Sequence, residues 1–292
     1  MQIDIVTKLL IIGSGGQLGQ NLMRVDWSFD THFLSREELD VTDFDTVSSS
    51  LQRLQPHIVI NASAYTKVDE AEDHPEDCSK VNVEGVRNIA QACAKIGASL
   101  IHFSTDYVFD GTKNSPYLPE DATAPINTYG SSKLKGENII FENLDHAWVF
   151  RISWLYSNFG HNFRSTVLRL ARERSHLKMV GNQKGCPTYA GKLAKDLNHI
   201  AEAIKEKKVA PGIYHYSHEG TTSWYGFAKE ITKLEGINVE LEEVTDDVFP
   251  TKAKRPKYSK LDGRRTVADF QLEPMHWKEA LICCKRDEEN EH

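Results

Sequence analysis

Cysteine is scarce in this 292-residue chain, and what there is cannot pair neatly. The five residues Cys78, Cys93, Cys186, Cys283 and Cys284 are odd in number and contain no Cys-x-x-Cys. That spacing excludes a disulfide scaffold and a zinc knuckle, and it fits a reducing, cytoplasmic setting. Positive charge is also in deficit. Thirty-five Lys and Arg against 42 Asp and Glu leave a net charge of −7, so the basic face of a nucleic-acid binder is missing and no such partner is expected. No apolar run is long enough to span a bilayer, so no membrane partner is expected either. The opening MQIDIVTKLLIIGSGG lacks the basic region and cleavage site of a signal peptide. Internal repeats and low-complexity tracts are absent as well.

What is present is ordinary globular composition, 40% hydrophobic and 26% charged, in a chain long enough for a substantial core. Short β-rich runs alternate with helical patterns through the first half. Lys8–Ile12, His32–Ser35, His57–Asn61, Ser99–Ser104 and Ala147–Ile152 read as strands. Gln17–Val25, Phe44–Leu54, Glu76–Ile96 and Tyr129–Phe141 read as helices. Strands interleaved with helices imply βαβ units and a parallel sheet covered on both faces. The second half is less regular. Asn162–Arg174, Ala190–Lys205 and Ser223–Leu234 are helical in pattern and Gly212–Ser217 is a strand. The segment 246–262, with Pro250 and Pro256, reads as loop, and the charged end Lys285–His292 reads as frayed. No linker separates the halves, so a second lobe packs directly on the first and leaves a cleft.

Two motifs carry chemistry. The first is KLLIIGSGGQLG at Lys8–Gly19, with Gly13, Gly16 and Gly19 in GxxGxxG spacing after the first strand. Glycine lets the backbone turn sharply and approach a pyrophosphate, which the next helix meets with its N–H groups. Leu18 stands where the stricter GxGxxG has glycine, a pattern that suits extended short-chain dehydrogenases. After the second strand the chain has Ser35 and Arg36 rather than the ribose-binding acid of NAD enzymes. A cation there suits the 2′-phosphate of NADP. The second motif is Tyr129-x-x-x-Lys133. Residues i and i+4 share a helix face, and an ammonium near a phenol lowers its pKa toward the useful range. Thr105, at the C-terminal end of a strand, is placed to bond a substrate carbonyl.

Taken together, GSGGQLG, VINASAYTKVDEAE, VNVEGVRNIAQAC, STDYVFDG, YGSSKLKGE, FRISWLYS and GCPTYAGKLAKDL, in this order, resemble the dTDP-4-dehydrorhamnose reductase family over residues 8 to about 282. The resemblance implies an α/β protein: a Rossmann-like doubly wound parallel sheet with a smaller C-terminal α/β substrate-binding domain. Residues 1–152 would form the NAD(P)-binding part, joined by a strand and helix from about 178–208. Residues 153–292 would form mainly the substrate lobe. It implies NADPH, in some members NADH, as hydride donor, and a dTDP-4-keto-sugar as substrate.

Residue by residue, the resemblance puts Gly13, Gln17, Leu18 and Gly19 on the pyrophosphate with Gly16 shaping the turn. Asp40 and Val41 would flank the adenine, and Ala62, Ser63, Ala64 and Tyr65 would line the cofactor. Thr105, Tyr129 and Lys133 form the implied catalytic set. Asp106 and Tyr107 would border the sugar and Trp154 would lie against it. Within KAKRPKYSKL, Arg255 matches the family's Arg-Pro-x-Asn-Ser-x-Leu element and would pair with the diphosphate. Tyr258 stands at its asparagine position. Mg²⁺ and a homodimer are left open: no acidic spacing establishes a metal site, and Asp69–Asp73 reads as solvated helix surface. The competing expectations are a reductase of another nucleotide-linked 4-keto sugar, a non-catalytic regulatory subunit of the same fold, and an epimerase or dehydratase. The intact Thr105, Tyr129 and Lys133 oppose the second. Asp106-Tyr107 in place of Asp-Glu opposes a dehydratase.

Overall fold

The computed structural model describes residues 6–290. From the N-terminal end the chain runs β1 (Lys8–Ile12), α1 (Gln17–Leu22), β2 (Asp30–Leu34), α2 (Phe44–Leu54), β3 (Ile58–Asn61), and two short helices, α3 (Glu70–Asp73) and α4 (Pro75–Ser79). A π-helical turn (Lys80–Gly85) leads into α5 (Val86–Ile96), followed by β4 (Ser99–Thr105), a 3-10 turn (Asp106–Val108), α6 (Thr128–Asn143) and β5 (Ala147–Ile152). The second half contains β6 (Leu155–Tyr156), α7 (Phe163–Glu173), β7 (His176–Val180), β8 (Lys184–Gly185), β9 (Thr188–Tyr189), α8 (Ala190–Lys205), β10 (Gly212–Tyr216), β11 (Thr222–Ser223), α9 (Trp224–Leu234), β12 (Glu240–Val244), α10 (Arg264–Asp269) and α11 (Trp277–Glu289).

Six strands pair in parallel in the order β10-β5-β4-β3-β1-β2. The order reverses beside β1, and ligands of open α/β sheets bind at the carboxyl ends there. Each face of the sheet is covered. One core packs Leu9, Ile11, Ile60 and Phe150 against α1 and α8. The other packs Leu10, Ile12, Val59 and Val149 against α2 and α5. Leu9, Leu10, Ile11 and Ile12 are all fully buried, which is why β1 reads as a continuous apolar run rather than an alternation. Each such side chain contributes about 1.5–3 kcal/mol. Local signals set the helix ends. Asp43 caps α2 by accepting from the N–H groups of Asp45 and Thr46, and Asn127 caps α6 by accepting from Gly130 N–H.

The second lobe has its own core of Tyr156, Leu168, Phe227, Ile231 and Trp277. Helix α8 and strand β10 return to the first lobe, and β10 extends the sheet beside β5. The returning strand was expected from about 178. Residues 176–180 instead pair with β12 in a small parallel sheet of the second lobe. Neither β12 nor α11 was predicted. Residues 285–289, expected to fray, continue α11, whose Cys284 is buried and whose Glu288 pairs with the buried Arg164 (2.7 Å). His292, in the rest of that expectation, lies outside the described residues. The single helix predicted over Glu76–Ile96 is broken by the π turn. There Asn82 turns inward and clamps the backbone of Tyr65, accepting from its N–H (2.9 Å) and donating to its carbonyl (3.1 Å). Among the described residues, no helix is long and apolar enough to cross a membrane.

Candidate active site

The glycine turn is built as its chemistry requires. Gly13 has φ +85°, and a Cβ there would sit 2.7 Å from Ser63 N. A Cβ on Gly19 would sit 2.2 Å from Gly13 O, so the first turn of α1 can close on the loop only without a side chain. Gly16 precedes α1 as its N-cap with φ −75°. Gly13, Gly16, Arg36, Asp40 and Val41 line one cavity of about 370 Å³, together with Ala62, Ser63, Ala64 and Tyr65 from the end of β3. The structure therefore gathers nine of the predicted cofactor residues around a single space. Gln17, Leu18 and Gly19 do not line it. Leu18 is buried in the core between α1 and the sheet, so that side chain serves packing.

Beside this cavity, β4 ends at Thr105. The Thr105 hydroxyl donates to Asp106 Oδ1 (3.1 Å) and accepts from Tyr107 N–H (3.1 Å). The Tyr129 phenol on α6 lies near the same hydroxyl. Its pKa is raised, chiefly by burial, with Thr105 opposing and Asp106 adding to the rise. Tyr107 meets Tyr129 edge to face at 5.9 Å. Burial also lifts Asp106 to about 7, against hydrogen bonds from Ser259 and Thr105, and its Oδ2 has no partner. Lys133 is 2% exposed, and burial lowers its pKa to about 8 against the favourable charge of Glu137. Its Nζ lies 3.3 Å from His102 Nε2. Periodicity placed Tyr129 and Lys133 on one helix, but it held no hint of His102 or of Asn61 behind it.

A groove of about 1020 Å³ runs between the lobes. Phe163, Trp224, Lys178, Lys254, Arg255 and Lys257 line it from the second lobe, opposite Asp110, Gly111 and Thr112. Trp154, expected against the substrate, is not on this lining. It sits in the left-handed region (φ +48°) and stacks on Trp224 at 3.5 Å. Trp224 is the member of the pair that lines the groove, and its sequence context had no signal. Arg255 reaches the groove, yet its guanidinium is held by Asp69 (2.7 and 3.2 Å). Lys252 pairs with Asp73, and Ala253 N–H donates to Asp69. The acidic run Asp69–Asp73 is thus more than solvated surface, because the fold lays the basic loop across it. Tyr258 packs beside Phe109, Tyr117 and Leu261 in a small apolar cluster. Among the described residues no three His, Cys, Asp or Glu converge as a metal site.

The family model described as the RmlD substrate binding domain matches residues 7–288. A dTDP-4-dehydrorhamnose reductase of Aggregatibacter actinomycetemcomitans is 39% identical, covering 94% of this chain and 97% of that protein. The enzyme of that name from Escherichia coli strain K12 is 37% identical over 92% of this chain and 94% of its own length. Among solved structures, a dTDP-4-dehydrorhamnose reductase from Bacillus anthracis in complex with NADP superposes with a TM-score of 0.92 at 34% identity, covering 97% of this chain and all of that one. The likeness spans nearly the whole chain, and so the chain belongs to the dTDP-4-dehydrorhamnose reductase family.

Proposed function

We propose that this chain reduces the C4 ketone of dTDP-4-dehydro-β-L-rhamnose to dTDP-β-L-rhamnose, using a nicotinamide dinucleotide. The observation that carries this reading is that Tyr129 lies near Thr105 at the end of β4 with Lys133 one turn along the same helix, in a chain that also has a glycine-turned cavity and a basic, aromatic groove.

The cavity residues fit a dinucleotide, because Gly13 lets the turn close against the Ala62–Ser63 backbone while Ala62, Ser63 and Ala64 supply a small-residue wall. Arg36 on the same lining supports NADPH over NADH, since a guanidinium can grip a 2′-phosphate bidentately. A nicotinamide dinucleotide held there would be the source of the hydride for C4. Thr105 and Tyr129 orient the carbonyl oxygen, and their hydrogen bonds strengthen as negative charge gathers on it. Tyr129 then gives its proton to that oxygen. A phenol pushed up by burial is a firm reservoir for that proton in the resting enzyme, and Lys133, one turn along α6, eases its release. In the groove, Trp224 and Phe163 offer apolar faces to the nucleoside, while Lys254, Lys257 and Arg255 face the diphosphate. Arg255 leaves Asp69 or shares it when a diphosphate arrives.

The reading is tested by following NADPH oxidation with the dTDP-4-keto sugar and identifying the product. Tyr129→Phe loses on the order of 10²–10⁴ in turnover and keeps NADPH binding. Native turnover in that variant would remove the tyrosine from the mechanism.

A further inference from the structure

Three buried polar side chains form a line from β3 through β4 to α6. Asn61 Oδ1 accepts from the Ser63 backbone N–H (3.0 Å) and from the Ser63 hydroxyl (2.5 Å). A backbone N–H only donates, so this contact fixes which way the amide points. Asn61 Nδ2 therefore faces His102 Nδ1 at 3.1 Å as the donor. His102 is 1% exposed, and burial first, then the charge of Lys133, drives its pKa well below the usual value. A neutral imidazole that accepts at Nδ1 carries its hydrogen on Nε2. Nε2 is the atom 3.3 Å from Lys133 Nζ. An N–H aimed at that nitrogen makes a hydrogen bond to a neutral amine and opposes an ammonium.

We infer that His102, oriented by Asn61, is a positioning residue that makes Lys133 a titrating amine rather than a fixed cation. Hydrogen bonding to the neutral form of a base lowers its proton affinity. The groups facing Lys133 are His102 from β4, Cys78 from α4, and Glu137 from its own helix. Glu137 favours the charged form, and burial opposes it. His102 adds to the burial side. When a phenolate forms one turn away on Tyr129, the lysine takes up one proton from solvent, and it passes that proton to Tyr129 as the phenol is restored. The consequence for turnover rests on the reductase reading. The tautomer of His102 does not.

The test has two parts. Long-range ¹H–¹⁵N spectra of the ¹⁵N-histidine-labelled wild-type protein report the tautomer directly. A neutral ring protonated at Nε2 between pH 6 and pH 9 is expected, and an Nδ1–H ring or an imidazolium overturns the inference. Turnover is then measured against pH for His102→Phe and His102→Gln. Phenylalanine removes the N–H, so Lys133 holds its proton more tightly and the basic limb moves up by about half to one pH unit, the size of one ordinary hydrogen bond. Glutamine can accept from Asn61 through Oε1 and offer Nε2–H to Lys133, so the limb stays where the wild type has it. If the two variants shift alike, or neither shifts, the inference fails. Absence of turnover in the wild type would sink the reductase reading instead, and the spectra would still decide the tautomer.

Discussion

Replacing Glu137 by glutamine removes one charge from the middle of α6 and leaves Arg151 buried without its partner. In the native protein the two form a bidentate pair, Nε to Oε1 at 3.0 Å and Nη2 to Oε2 at 2.7 Å. Both side chains are almost fully buried, at 2% and 1% exposure. Arg151 also donates to Pro119 O (3.3 Å) and lies over the Phe109 ring at 5.1 Å, so it has no route to water. Breaking such a pair from one side costs about 3–5 kcal/mol, mostly the desolvation of the stranded ion. At roughly 2–4 °C per kcal/mol for a chain of this size, Tm falls by roughly 6–20 °C. Thermal unfolding followed by circular dichroism measures this. The double variant Glu137→Met with Arg151→Met should recover most of the loss, because an apolar pair of similar volume incurs no desolvation cost. The same charge also supports the ammonium of Lys133 one turn back. Glu137→Gln therefore shifts the basic limb of turnover to lower pH as well. A Tm change below about 2 °C, or a double variant no better than the single, would refute the reasoning.

Three further outcomes are expected. Burial holds the Asp106 carboxyl at about 7, above its unfolded value, so the folded state binds the extra proton between about pH 4 and 7 and stability declines as pH rises through that window. Asp106→Asn should therefore raise Tm at pH 8 and change it little at pH 4, and equal effects at both would contradict the burial argument. Gly19→Ala forces a Cβ to 2.2 Å from Gly13 O, so NADPH affinity measured by fluorescence titration should fall at least about tenfold, a loss of ~1.4 kcal/mol. Arg36→Ala should weaken NADPH by a similar factor and leave NADH nearly unchanged. If both weaken equally, Arg36 does not read the 2′-phosphate.

The βαβ order, the glycine turn and the Tyr129–Lys133 pair were legible in the sequence because each depends on neighbours within one or two turns of chain. Apolar runs of four or five residues mark buried parallel strands, and i, i+4 spacing puts the phenol and the amine on one helix face whatever surrounds them. The small sheet of β7 and β12 left no comparable mark. Its strands are half exposed, and their pairing joins His176 to Glu240, 64 residues apart. The finer parts of the site were decided in the same way, by contacts that no local pattern encodes. Asn61 reaches His102 across 41 residues, His102 reaches Lys133 across 31, and Arg255 reaches Asp69 across 186. In the π turn before α5, Asn82 meets the Tyr65 backbone 17 residues away. Sequence periodicity thus determined which elements exist and which side chains stand at their ends. Only the packed structure decided which buried group faces each of them, and with it how tightly Lys133 and Asp106 hold their protons.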